Sequence, residues 1–114
     1  MSTDVSLSTS PAALTALAAQ FGLLADPLRL RIVESLAREQ LCTCHLIDIT
    51  GAKQTTVSHH LRILREAGAV VGEAEGRFTW YRLAPGSFVD GWQRLQGIAA
   101  AAESTPRLRP ACAP

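Results

Sequence analysis

Cys42-Thr43-Cys44 is the stretch of this chain best suited to chemistry, because it sets two thiols one residue apart. Thiolate is a soft ligand that prefers thiophilic ions, so the pair selects against magnesium, calcium and manganese. On a regular α-helix, residues i and i+2 project about 200° apart and cannot face one ion. Ion capture is therefore expected to unwind or bend the start of the helix that carries the pair. A third thiol, Cys112, stands near the C-terminal end. Either it, from the same subunit or across a dimer, or an exogenous thiol or hydroxide completes the ligand shell. His45 offers a nitrogen of the kind zinc or cadmium takes, although beside the pair at a helix start it also fits a solvent-facing residue. Two alternatives stay open for the pair: small buried apolar side chains, or a dithiol that oxidises reversibly.

The second stretch with a chemical character is KQTTVSHHLRILREAG, residues 53–68. Val57, Leu61 and Leu64 recur at helical spacing and point one way, leaving Gln54, Thr55, Ser58, His59 and Arg62 on the opposite side. That outer face has no carboxylate until Glu66 and ends in the cations Arg62 and Arg65. Short donors and acceptors with nearby positive charge suit a DNA major groove, where base edges and phosphates must both be met. A solvated helix of a small domain is the plain alternative. His59 and His60 are adjacent, so on a helix they diverge and form no metal or catalytic pair.

At 114 residues, with 47% apolar and 18% charged side chains, the chain has room for one domain with a small core. No apolar run is long enough to span a bilayer, and the polar, Ser/Thr-rich start does not look like a secretion signal; a cytoplasmic location is expected. Net charge is only +1, but its distribution is uneven. Lys53, Arg62 and Arg65 occur in a stretch without acids, whereas before Lys53 three arginines face Asp4, Asp26, Glu34, Glu39 and Asp48. Positive charge is thus focused on the candidate recognition helix, which implies salt-sensitive binding to phosphates. Three cysteines, two of them almost adjacent, argue against a disulfide framework. No activated nucleophile with a base, phosphate-cradling glycine loop or carboxylate pair is present, so no enzyme is expected.

These stretches need elements to hold them. Residues 1–10 lack apolar periodicity and read as a flexible arm. Leu14, Leu17, Ala18, Phe21 and Leu24 predict an amphipathic helix. Asp26-Pro27 opens a second helix with the stripe Leu28, Ile32, Val33 and Leu36. A short third helix is expected within residues 43–50, burying Leu46 and Ile49 and ended by Gly51. Followed by the polar-faced helix, this is a helix-turn-helix. The alternating stretch from Val70 to Leu83, interrupted by Glu75-Gly76-Arg77, predicts a two-stranded hairpin, or wing. After Pro85-Gly86 a last helix carries Phe88, Val89, Trp92, Leu95, Ile98 and Ala102, and residues 105–114 read as a mobile tail. The expected fold is mainly α with a small β-hairpin, a winged helix-turn-helix over residues 11–104. Its first and last helices carry more large apolar side chains than so small a core needs, which predicts a homodimer built from them.

In this order, with LADPLRLRIV at 24–33, LCTCHL at 41–46, TVSHHLRILREAG at 56–68 and EGRFTWYRL at 75–83, the chain resembles the ArsR/SmtB family of bacterial metal-sensing repressors from about Leu14 to Ile98. The resemblance implies a dimeric winged-helix repressor that occupies operator DNA, an imperfect palindrome, and leaves it when a toxic ion binds. It implies that Gln54, Thr55, Ser58 and His59 face the groove, with His60 a packing or hydrogen-bonding residue and Arg77 at the wing tip near phosphate. Lys53 and Thr55 stand where the family has serine and proline; the first change weakens the helix cap and adds a phosphate contact. Cys42-Thr43-Cys44 is similar to the arsenic-sensing branch, which implies arsenite as inducer and antimonite as a second one. Both metalloids take pyramidal coordination by two or three thiolates. That branch has a further cysteine one turn on, where this chain has Ile47, so Cys112 is the remaining candidate. Some relatives bind zinc on the last helix through aspartate and histidines; this chain has Asp90 there and no histidine after His60, so no such zinc site is expected. A thiol-redox switch, or response to cadmium, zinc or lead on the same fold, is the alternative reading.

Overall fold

A computed structural model describes residues 10–112 of the chain; the arm expected over residues 1–10 therefore lies, apart from Ser10, outside the described residues. Helix α1 (Pro11–Leu23) starts where the Ser10 side chain accepts a hydrogen bond from the Ala13 amide, with proline in the first turn. Helix α2 (Pro27–Leu36) starts the same way, with Asp26 accepting from the amides of Leu28 and Arg29 at 2.9 and 3.0 Å. Strand β1 (Leu41–Cys42) leads directly into α3 (Thr43–Thr50), which ends at Gly51 with φ of 71°. An L side chain rarely adopts that left-handed backbone, so glycine makes the sharp turn into α4 (Gln54–Glu66). Strands β2 (Val70–Glu75) and β3 (Phe78–Leu83) form the wing around the two-residue turn Gly76-Arg77. Helix α5 (Val89–Ala101) follows and runs into one 3-10 turn, and residues 105–112 are exposed and outside any helix or strand.

The core is a single cluster. Ile32, Val33 and Leu36 of α2 meet Leu46 of α3, Val57, Leu61 and Leu64 of α4, and Val70 and Tyr81 of the wing. The helical members come from the faces that periodicity assigned to the interior, because an inward stripe on each helix leaves the opposite face to water.

Three expectations need correction. The hairpin is part of a three-stranded antiparallel sheet of order β1-β3-β2, with Leu41 opposite Tyr81 and Cys42 opposite Trp80. A strand of two residues is too short to carry any periodicity, so its pairing could not be read in advance. Ile49 is 37% exposed, and Ile47 packs on the core in its place, because the core side of so short a helix is narrow. Helix α1 forms but is not amphipathic in the ordinary sense. None of its residues is buried, and its sequence PAALTALAAQFGL has almost no polar side.

Candidate functional site

The outer face of α4 is built as its residue pattern requires. Val57, His60, Leu61 and Leu64 are buried, while Gln54, Thr55, Ser58, His59 and Arg62 are all exposed. Lys53 occupies the N-cap without a side-chain hydrogen bond, since an ammonium has no lone pair to accept from the helix amides. Arg62 Nη2 lies 3.3 Å from His59 Nδ1, which joins two of the outward residues. Arg77 is exposed in the wing turn. The described face therefore presents amide, hydroxyl, imidazole and guanidinium groups with no carboxylate until Glu66.

Both cysteines of the pair line one cleft of about 320 Å³, together with Thr43, Ile47, Gln54, Arg77, Phe78 and Thr79. The helical argument that would hold Cys42 and Cys44 apart does not apply. Cys42 is not on α3 but at its N-cap, in extended backbone (φ −87°, ψ 165°), and belongs to β1. The bend that an ion was expected to impose is already present at the strand-to-helix junction. Cys42 is buried at 3% exposure and Cys44 is exposed. Burial is the main reason that the Cys42 thiol titrates above its ordinary value, with the negative charges of Cys44 and Glu75 adding to it.

The Cys42 backbone is held on two sides. Its amide donates to His45 Nδ1 at 3.0 Å, and it pairs in register with Trp80 of β3. His45 also packs its ring against Trp80, with centroids 5.6 Å apart. Through Nδ1 this histidine caps α3, and only Nε2 is left for another partner. Cys112 is exposed in the segment after the 3-10 turn and is not among the residues lining the cleft. Among the described residues, no three His, Cys, Asp or Glu side chains form a group able to hold a metal ion.

Phe78 and Thr79 were not singled out beforehand, and neither was the cleft's junction with Gln54. The alternation of β3 shows that these residues belong to a wing, but not that the wing folds over the start of α3.

A β-hairpin wing within a three-stranded sheet beside a helix-turn-helix, with a polar face free of carboxylates until Glu66 on the second helix, defines a winged helix-turn-helix protein. Comparison with known proteins agrees. The model of the arsR family of bacterial regulatory proteins matches residues 26–70. The solution structure of the homodimeric winged helix-turn-helix DNA-binding domain of a possible ArsR-family transcriptional regulator from Mycobacterium bovis is 31% identical, with a TM-score of 0.61. The match covers 85% of this chain and 92% of that one. The chain belongs to the ArsR family.

A transcriptional repressor SmtB homolog from Synechocystis is 45% identical over 64 residues, which are 56% of this chain and 48% of that protein. The arsenical resistance operon repressor of Escherichia coli is 39% identical over 66 residues, 57% of this chain and 56% of that protein. The chain thus spans about half the length of the curated relatives it matches.

Proposed function

We propose that this chain is a homodimeric transcriptional repressor that binds operator DNA through α4 and the wing and is released by arsenite, with antimonite as a second inducer. The observation that carries the reading is the cleft shared by Cys42 and Cys44 with Gln54, the first residue of the DNA-reading helix, and Arg77 of the wing turn. Sensor and reader are one site: an ion held by the thiols sits against two groups assigned to DNA. Lys53, Thr55, Ser58, His59 and Arg62 complete the DNA face. Likeness to a repressor of arsenical resistance supports the choice of inducer, and likeness to an SmtB homolog supports the broader role.

The chemistry of the pair also favours arsenite. In arsenous acid, As(OH)3, two As–O bonds break and two As–S bonds form. Each thiol proton leaves with a hydroxyl as water, so no net proton is released. A thiol kept protonated by burial is therefore no obstacle. Zinc or cadmium would have to expel those protons into solvent. The third position is filled by the remaining hydroxyl, an exogenous thiol, or Cys112 reaching in from its exposed segment. Drawing Cys42 outward strains its pairing with Trp80, so the distortion reaches the wing.

Dimerisation is supported by the apolar residues that α1 and α5 leave in water: Leu14, Phe21, Trp92, Leu95 and Ile98 are 39–59% exposed. The first and last helices touch through Gln20 Oε1, which accepts from the Gly91 amide at 3.1 Å, so they present one continuous face. No described helix is long and apolar enough to cross a membrane, and a cytoplasmic repressor suits the reading. Fluorescence anisotropy with DNA from upstream of the chain's own gene tests it. Arsenite is expected to release the wild type and to leave a Cys42→Ser/Cys44→Ser variant bound; release of that variant would refute the thiol site.

A further inference from the structure

Apart from Cys42 and Tyr81, His60 is the one polar side chain among the described buried residues, and neither the cleft nor the DNA face accounts for it. It sits on the inner side of α4 between Val57 and Leu64, with Nδ1 3.3 Å from Arg29 Nη1 and Nε2 4.0 Å from Asp26 Oδ1. Arg29 in turn donates from Nε to the Leu23 carbonyl at 2.8 Å and from Nη2 to the Gly22 carbonyl at 3.4 Å. One guanidinium therefore ties the last turn of α1 to the DNA-reading helix. Asp26 holds the base of the arrangement by capping α2. On the other side of His60, the ring of the exposed His59 is 5.3 Å away, edge-on, and contacts Arg62.

We propose that Arg29 and His60 are positioning residues for DNA recognition, pinning α4 to the α1–α2 junction, and that protonation of His60 opens the pin and weakens operator binding. The proposal rests on α4 being the DNA-reading helix. A guanidinium can only donate, so His60 Nδ1 must accept and the single ring proton resides on Nε2, facing Asp26. A second proton can go only to Nδ1, where it meets the Arg29 guanidinium with no lone pair left for the bridge.

The groups facing the ring are Asp26 and Arg29 of α2 and His59 of its own helix, and α1 carries no titratable side chain. Burial holds the imidazole below the ordinary histidine value of 6.5; Asp26 opposes this, and Arg29 and His59 add to it. A neutral imidazole is thus preferred in the folded chain. Its contribution is complete above about 6.5 and is lost as pH falls through the lower folded value.

Operator affinity measured from about pH 7.5 down to about pH 5 tests the proposal in the wild type, H60N, H60L and R29K. Asparagine keeps an acceptor for Arg29 but does not titrate, so H60N is expected to bind well and to lose less affinity in acid than the wild type. His45 and His59 are present in both chains, so the difference between the two profiles belongs to His60. H60L and R29K are expected to bind about tenfold more weakly at neutral pH while still unfolding cooperatively. Nitrogen chemical shifts of the His60 ring should show the Nε2–H tautomer. An acid profile of H60N as steep as the wild type, wild-type affinity in R29K, or an Nδ1–H tautomer would overturn the proposal. Failure of every chain to bind DNA at any pH would instead overturn the DNA-reading assignment, with the ring tautomer still reporting on the bridge.

Discussion

Cys42 and Cys44 differ in surroundings although they are chemically identical, and that difference can be measured. The buried Cys42 thiol titrates above its ordinary value, first because of burial, so its thiolate forms later as pH rises. Cys44 is expected to be alkylated faster by iodoacetamide at neutral pH, with the gap narrowing above about pH 9, as peptide mapping at several pH values will show. For stability the same shift favours the protonated thiol in the folded chain. Its contribution is full below the ordinary thiol value and falls away as pH rises through the higher folded one. Replacing Cys112 by serine tests the third ligand. Unchanged arsenite affinity and a stoichiometry of one per subunit would assign the third position to hydroxide or an added thiol, whereas a clear loss would assign it to the tail. At the DNA face, Arg62→Ala or Arg77→Ala is expected to lower the slope of log affinity against log salt by about one, since each arginine releases about one counterion.

Among the elements, the turn between α3 and α4 has the tightest requirement. Gly51 has φ of 71° and nothing near its missing side chain, so an alanine there meets backbone strain rather than a clash. Gly51→Ala is expected to lower unfolding free energy by about 1–2 kcal/mol in urea titration and to weaken operator binding beyond that, because the turn sets the angle of α4. The third strand has an equally direct role. By pairing Cys42 with Trp80 it makes the wing and the cysteine pair one mechanical unit. A helix that had to unwind was the expected device. The observed junction, a strand already bent into a helix start, offers the thiols to one cleft without unwinding α3.

For the whole molecule, the exposed apolar residues of α1 and α5 are the face on which the proposed dimer rests. Burying each large side chain of that face contributes roughly 1.5–3 kcal/mol. A charge introduced by Trp92→Glu should therefore yield monomers in sedimentation at micromolar concentration. Operator affinity should fall by at least a hundredfold, because each monomer then reads one half-site alone. The Arg29–His60 bridge belongs to the same scale, since it links the last turn of α1 to α4.

Much of this was legible in the residues themselves. Helix boundaries at Asp26 and Gly51, the inward stripe of α4 and its polar outer face all follow from local spacing and capping, which act within a few residues. The order of segments was enough to reveal the family. What local spacing does not carry is which distant residues meet. That Cys42 belongs to a strand opposite Trp80, that Gln54 and Arg77 share the cysteines' cleft, and that the buried His60 is held by Arg29 depend on how the wing and α2 pack against α3 and α4. Those contacts join residues far apart in the chain, and only the closed core brings them within reach.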